Sequence, residues 1–200
     1  MKQVSCNSEG IALASNSFKN GGVIIFPTDT IYGIGCNPYD ENAVNKIYSI
    51  KKRDRTKSLP VLGYSKEILE DIVYFDHTAN IIIEKFWPGP LTIVLPLKDK
   101  KLTKLSNGAD TLAVRIPNSK CALSILKECK LIVGTSANIS GESPLTDPQK
   151  LDILSSDFDI FLNAGIIKSS GESTIIEIKE EKIRILRNGA IPEEKFVEML

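Results

Sequence analysis

Apolar runs in this chain, Val23-Ile24-Ile25-Phe26 among them, reach only strand length, and they alternate with segments whose apolar residues recur at helical spacing. A chain patterned this way has to bury the faces of short strands against the faces of helices. The pattern predicts helices over 8–20, stopped by Gly21-Gly22, and over 41–50, capped by Asp40. Further helices are expected over 65–71, 78–86 and 119–129, near 148–155, and from Pro192 onward. Strands are expected at 22–26, 33–36, 59–63, 91–97, 111–116, 131–133, 159–162, 174–178 and 183–186. Strands and helices mixed in this order predict a mixed twisted sheet covered by helices. No repeat, low-complexity stretch or Pro/Gly/Ser-rich linker interrupts it, and the start, MKQVSCNSEG, has no apolar core of a signal peptide. No apolar run approaches the roughly 18 residues that a membrane span needs.

With 200 residues, the chain is expected to form one domain over 1–200. Lysine plus arginine and aspartate plus glutamate both number 25, so the net charge is zero. A protein that coats nucleic acid carries a basic excess, so anion binding here must come from a local cluster. The four cysteines, Cys6, Cys36, Cys121 and Cys129, form no C-x-x-C pair, and His77 is the single histidine. That composition argues against a structural zinc site and predicts free thiols in a reducing cytosol. It also disfavours a Ser-His-Asp triad: there is no G-x-S-x-G elbow, and His77 reads as a helix-start or surface residue. Trp87 reads as a core anchor at a helix end, and Lys98, Lys100, Lys101 and Lys104 as a solvated loop.

Four places carry groups suited to chemistry. The first is the loop Phe26-Pro27-Thr28-Asp29-Thr30-Ile31-Tyr32-Gly33, following directly on a buried strand, where ligands collect in open α/β sheets; the same residues also make an ordinary capped turn. The second is Lys46 to Lys57, with six basic residues in twelve and one acid, Asp54. If the chain is extended there, Lys51 and Arg53 fall on one side and can meet a phosphate together; the alternative is a solvated helix end. The third is Gly134-Thr135-Ser136-Ala137-Asn138-Ile139-Ser140-Gly141, small polar residues between glycines, which is not a Walker A loop. The fourth is a pair of isolated arginines. Arg115 lies in an apolar strand and Arg187 closes another. A charge in a buried strand needs a partner, and for Arg115 that is either a structural carboxylate or a substrate carboxylate in a bidentate fork.

In their order along the chain, these blocks resemble the YrdC-like threonylcarbamoyl-AMP synthases. The resemblance rests on Phe26–Gly33, Lys51-x-Arg53, Trp87-Pro88-Gly89-Pro90-Leu91-Thr92, Val114–Pro117, Thr135–Gly141, Ser173–Ile176 and Leu186–Gly189. It runs from about Gly22 to Ile191 and matches the short type without an extra carboxyl-terminal domain. It implies an α/β, three-layer fold with a mixed twisted sheet flanked by helices. It also implies that L-threonine, bicarbonate (or CO2) and ATP give L-threonylcarbamoyl-AMP and pyrophosphate in the cytoplasm. Lys51, Arg53, Lys57 and Arg187 would surround the phosphates, with Mg²⁺ carried by ATP rather than by protein ligands. Thr111, Ser136, Asn138 and Thr146 would complete the nucleotide contacts, with Lys51, Arg53, Ser136 and Asn138 the catalytic set. Thr30, Arg115 and Ser173 would hold L-threonine. The product would pass to separate tRNA-threonylcarbamoyl transferase proteins, and direct contact with tRNA is left open. The chain departs from the family at Ser58, Glu172 and Asn188, where many members carry proline, and Glu172 adds negative charge beside a phosphate site. The rival readings are an RNA-binding module using the 46–57 cluster, and a related carbamoyl-transfer or sugar-phosphate enzyme. Zero net charge and the lack of interleaved aromatic residues weigh against the first. The presence of Thr30, Arg115 and Ser173 weighs against the second.

Overall fold

A computed structural model describes residues 2–153, 157–168, 170–179 and 182–197. The elements run β1 (Lys2–Ser5), α1 (Ser8–Lys19), β2 (Ile24–Pro27), β3 (Tyr32–Gly35), α2 (Glu41–Ile50), β4 (Val61–Gly63), α3 (Lys66–Leu69), α4 (His77–Phe86), β5 (Leu91–Pro96), β6 (Thr111–Arg115), α5 (Lys120–Cys129), β7 (Leu131–Val133), β8 (Thr135–Ser136), β9 (Ile160–Asn163), β10 (Thr174–Lys179), β11 (Lys182–Arg187) and α6 (Glu194–Val197). Short 3-10 turns cover Lys100–Leu102 and Pro148–Ile153. The expected end of the helix near 148–155 lies outside the described residues, as does the end of the last helix.

Helices start where side-chain acceptors meet the free amides of the first turn. Asp40 Oδ1 accepts from the Asn42 and Ala43 N–H groups, Asn7 from Gly10 and Asp76 from Ala79. α1 ends where Gly21 takes a left-handed conformation at φ +79°. His77 opens α4 on the surface, and Trp87 closes it, donating its indole N–H to Leu91 O at 2.8 Å.

The strands divide between two mixed sheets, in orders β1-β9-β2-β3-β8 and β11-β10-β5-β6-β4-β7. β3 folds back antiparallel on β2, and the two-residue β8 closes its outer edge, which ends the first sheet. β2 is buried on both faces, as its unbroken apolar run requires. Ile24 and Phe26 pack toward α1 and α5, while Val23 and Ile25 join the larger core that holds the apolar stripes of α2 and α4. In the second sheet, Ile93 and Leu95 of β5 and Ile176 and Ile178 of β10 point into that core. Thr92, Val94, Ser173 and Ile175 alternate with them and face a cavity instead.

One expectation is overturned. Cys6 and Cys121 are joined in a disulfide, so four free thiols do not describe this structure; Cys36 and Cys129 are free. α1 packs on α5, which brings the two Cα atoms to 6.0 Å, within bridging range, although the residues lie 115 apart in the chain. Among the described residues, no helix is long and apolar enough to cross a membrane.

Candidate active site between the two sheets

The cavity has a volume of about 280 Å³. One wall comes from the first sheet and its loops, through Thr28, Thr30, Gly33 and Ser136; the other comes from the second sheet, through Thr92, Ala113, Arg115 and Ser173. Arg53 and Arg187 also line it. Six residues expected to bind substrate thus line a single space: Thr30, Arg53, Arg115, Ser136, Ser173 and Arg187.

The threonine-rich loop after β2 is built inward. Thr28 Oγ1 donates to Ile31 O at 2.6 Å and lies 3.0 Å from Thr30 Oγ1, and both threonines are buried. Thr28 therefore plays the ordinary turn role, which leaves Thr30 as the hydroxyl at the cavity. Arg115, 5% exposed, is held on three sides. Its Nε donates to Gly89 O at 2.9 Å, Nη1 to Thr30 Oγ1 at 3.2 Å and Nη2 to Asp29 Oδ1 at 2.6 Å. A structural carboxylate does pair with this arginine. A guanidinium has five N–H groups, so one on Nη1 and one on Nη2 remain beyond these bonds.

The basic segment is not extended. Lys51 is the C-cap of α2, and Lys52 turns left-handed at φ 47°. The extended backbone on which two-residue spacing would align Lys51 and Arg53 is therefore not formed, and each side chain is placed by its own contacts. The Lys51 side chain runs inward, 1% exposed, and its ammonium donates to Ser136 O, to Asn138 O at 2.8 Å and to Asn138 Oδ1 at 3.2 Å. Burial pushes its pKa down to about 8; Arg53 adds to the drop and Glu172 opposes it. Lys51 thus holds the 136–138 turn in place. Arg53 donates through Nη2 to Ser58 O at 2.9 Å, while its Nε is buried without a hydrogen-bond partner among the described residues. An unpaired buried donor in a cavity is a place for an anion. Burial lowers the Arg53 pKa, with Tyr48 opposing and Arg187 adding to the fall.

Ser173 is fixed by two neighbours. Its Oγ lies 3.0 Å from Thr92 Oγ1 and accepts from Arg187 Nη2 at 3.0 Å. Thr92 belongs to one of the blocks that carry the family resemblance, but nothing local in the sequence marks it as a partner of Ser173, 81 residues away. Arg187 also donates from Nε and Nη2 to Ser173 O. Gly189 permits this crossing, since a Cβ there would stand 2.5 Å from Glu172 O and Thr174 N.

The remaining expected residues lie outside the cavity. Asn138 and Thr146 line an adjoining space of about 180 Å³, and the Asn138 amide donates to Glu142 O at 2.6 Å. Thr111 shares a face of β6 with Ala113 and Arg115 but stands at the far end of the strand. Lys57 is exposed, and no contact ties its ammonium to the cavity. A larger cavity, about 1100 Å³, lies between α1 and α5 behind Thr28 and Asp29, and none of the expected residues lines it.

A family model for the Sua5/YciO/YrdC domain, described as "Telomere recombination", matches residues 16–189. The chain belongs to the Sua5/YciO/YrdC family. A protein of Methanocaldococcus jannaschii is 40% identical over 181 residues, spanning 88% of this chain and 84% of that protein. The threonylcarbamoyl-AMP synthase of Pyrococcus abyssi is 33% identical over 193 residues, which cover 95% of this chain and 57% of that enzyme. The crystal structure of P. abyssi Sua5 complexed with L-threonine superposes with a TM-score of 0.92 at 31% identity, over 99% of this chain and 59% of that one. This family member therefore spans a little over half the length of those P. abyssi proteins.

Proposed function

We propose that the chain is an L-threonylcarbamoyladenylate synthase, working as a single YrdC-like domain. It would condense L-threonine, bicarbonate and ATP to L-threonylcarbamoyl-AMP and pyrophosphate. The observation that carries this reading is the convergence of three guanidinium groups, Arg53, Arg115 and Arg187, with the Thr30, Ser136 and Ser173 hydroxyls on one cavity. The named activity of the P. abyssi relative and its L-threonine complex support it.

The chemistry follows from these groups. A carbamate oxygen attacks the α-phosphorus of ATP as the bond to pyrophosphate breaks. Such nucleotidyl transfer needs positioning and charge neutralisation more than a strong base, which suits a cavity without histidine. Each guanidinium at 4 Å from a phosphate charge contributes about 4 kcal/mol of Coulomb energy before desolvation. In this reading Arg53 and Arg187 face the phosphates, with Ser136 and Asn138 on the nucleotide and Lys51 holding their turn. Thr111, Thr146 and Lys57 are assigned to the outer reach of the nucleotide. Arg115, Thr30 and Ser173 take L-threonine, the arginine through its two remaining N–H groups. Cationic and hydroxylic donors fit a triphosphate, and Mg²⁺ would accompany ATP, where it neutralises phosphate charge. The product would pass to tRNA-threonylcarbamoyl transferase proteins acting in the cytoplasm.

The test is isotopic. Incubation with [13C]bicarbonate, L-threonine and ATP should place the label in a nucleotide that carries threonine, read by mass spectrometry. A folded protein that yields no labelled nucleotide would refute the proposal.

A further inference from the structure

Among the described residues lining the cavity, Glu172 is the one carboxylate. Its Oε2 lies 3.1 Å from Arg187 Nη1. The other side of that guanidinium is occupied, because Nε and Nη2 donate to Ser173 O and Nη2 also to Ser173 Oγ. Nη1 is thus the part of Arg187 left for an incoming anion, and a protein carboxylate already sits on it. The backbone fixes that carboxylate in place. Glu172 follows Gly171, which stands at φ +135°, its carbonyl accepts from Ala190 N at 2.8 Å, and the side-chain-free Gly189 packs against it. Both side chains of the pair are about one third exposed, at 37% and 32%, so the carboxylate can turn out into water. The Glu172 charge also bears on Lys51, where it opposes the fall in pKa.

We propose that Glu172 is the resident counter-anion of the phosphate subsite: it occupies Arg187 in the ligand-free enzyme and must yield it to a phosphate oxygen of ATP. This rests on the ATP assignment above. A single carboxylate competes poorly with a polyphosphate, so it lowers nucleotide affinity without abolishing it. After displacement it stays near the subsite and repels the bound phosphates. Glu172 then acts as an affinity-setting residue.

The experiment is calorimetric titration of the full chain and of Glu172→Gln with Mg·ATP, with inorganic pyrophosphate and with L-threonine, at low and high KCl. A partly exposed ion pair is worth up to about 1 kcal/mol, so Glu172→Gln should bind ATP and pyrophosphate about five-fold more tightly. The gain should shrink as salt screens the charge, and L-threonine binding should not change. Glu172→Ser, too short to reach Arg187, should move in the same direction. Glu177→Gln, which removes a carboxylate paired with Arg184 outside the cavity, should leave all three affinities unchanged. Unchanged or weaker ATP and pyrophosphate binding in both Glu172 variants would overturn the proposal, since a merely orienting carboxylate gives that result. If the wild type itself binds neither ATP nor pyrophosphate, the ATP assignment falls and this inference falls with it.

Discussion

Removing Asp29 should cost more than any hydrogen bond it makes, because it strands a charge. Arg115 is 6% exposed at its side chain and Asp29 14%, and their N···O separation is 2.6 Å. At about 4 Å between charge centres the pair gains about 4 kcal/mol at an effective dielectric near 20. Asp29 Oδ1 also accepts the Asn118 N–H at 3.1 Å, which Asp29→Ala would leave without this acceptor. Breaking a buried pair from one side typically costs about 3–5 kcal/mol. With a urea slope of roughly 2 kcal/mol per molar, the unfolding midpoint should fall by about 2 M. Trp87, the single tryptophan, packs edge-on against Phe75 at 6.1 Å and provides the fluorescence signal. The decisive variant is Asp29→Ala combined with Arg115→Met. It removes both charges, so it should be more stable than Asp29→Ala alone. A midpoint shift below about 0.5 M for Asp29→Ala, or a double variant no better than the single, would refute the stranded-charge reasoning.

Other consequences can be read from the same structure. Lys51 has a pKa of about 8 when folded against an ordinary 10.5, so between those values the unfolded chain binds more protons and stability rises with pH. The rise should amount to about 3 kcal/mol over that window and should be missing in Lys51→Met, as measured by urea unfolding from pH 8 to 10.5. Arg53→Ala should keep its unfolding midpoint yet lose about 100-fold or more in ATP-dependent turnover; loss of fold, or retained activity, would count against its place at the phosphates. Gly189→Ala should lower stability by about 2 kcal/mol, because its Cβ would stand 2.5 Å from the Glu172–Thr174 backbone, and a neutral result in thermal unfolding would deny the close crossing. Cys6→Ser should lose up to about 4 kcal/mol under non-oxidising and oxidising conditions alike, whereas the wild type should lose it only on reduction. An unchanged reduced wild type would show that the bridge adds nothing.

Much of the fold was legible where one residue type decides a local outcome. Asp40 capped its helix, Gly21 stopped the one before it, and the apolar run of β2 marked a strand buried on both faces. What escaped were features made by partners distant in the chain. β1 is short and mostly exposed, and it exists as a strand because β9 lies beside it. Cys6 and Cys121 meet only after α1 docks on α5. The site shows the same division. The blocks that mark Thr30, Arg53, Arg115, Ser136, Ser173 and Arg187 were readable as residue types in order, but their partners were not. Asp29 lies 86 residues from Arg115, and Thr92 lies 81 from Ser173. For Lys51 the sequence left an extended chain and a solvated helix end both open; it is a helix end, with Lys52 left-handed after it, but a buried one, because the ammonium finds its acceptors 85 and 87 residues away. Thr111 and Lys57 carry suitable groups, yet strand length and loop exposure keep them from the cavity.

The central claim is that one cavity brings ATP and L-threonine to reaction. The most direct measurement is pyrophosphate release from ATP with Mg²⁺ and bicarbonate, comparing L-threonine with L-serine, L-valine and no amino acid. Release that requires both bicarbonate and L-threonine is the predicted result. Folded protein that releases no pyrophosphate, or releases it equally without L-threonine, would contradict the account.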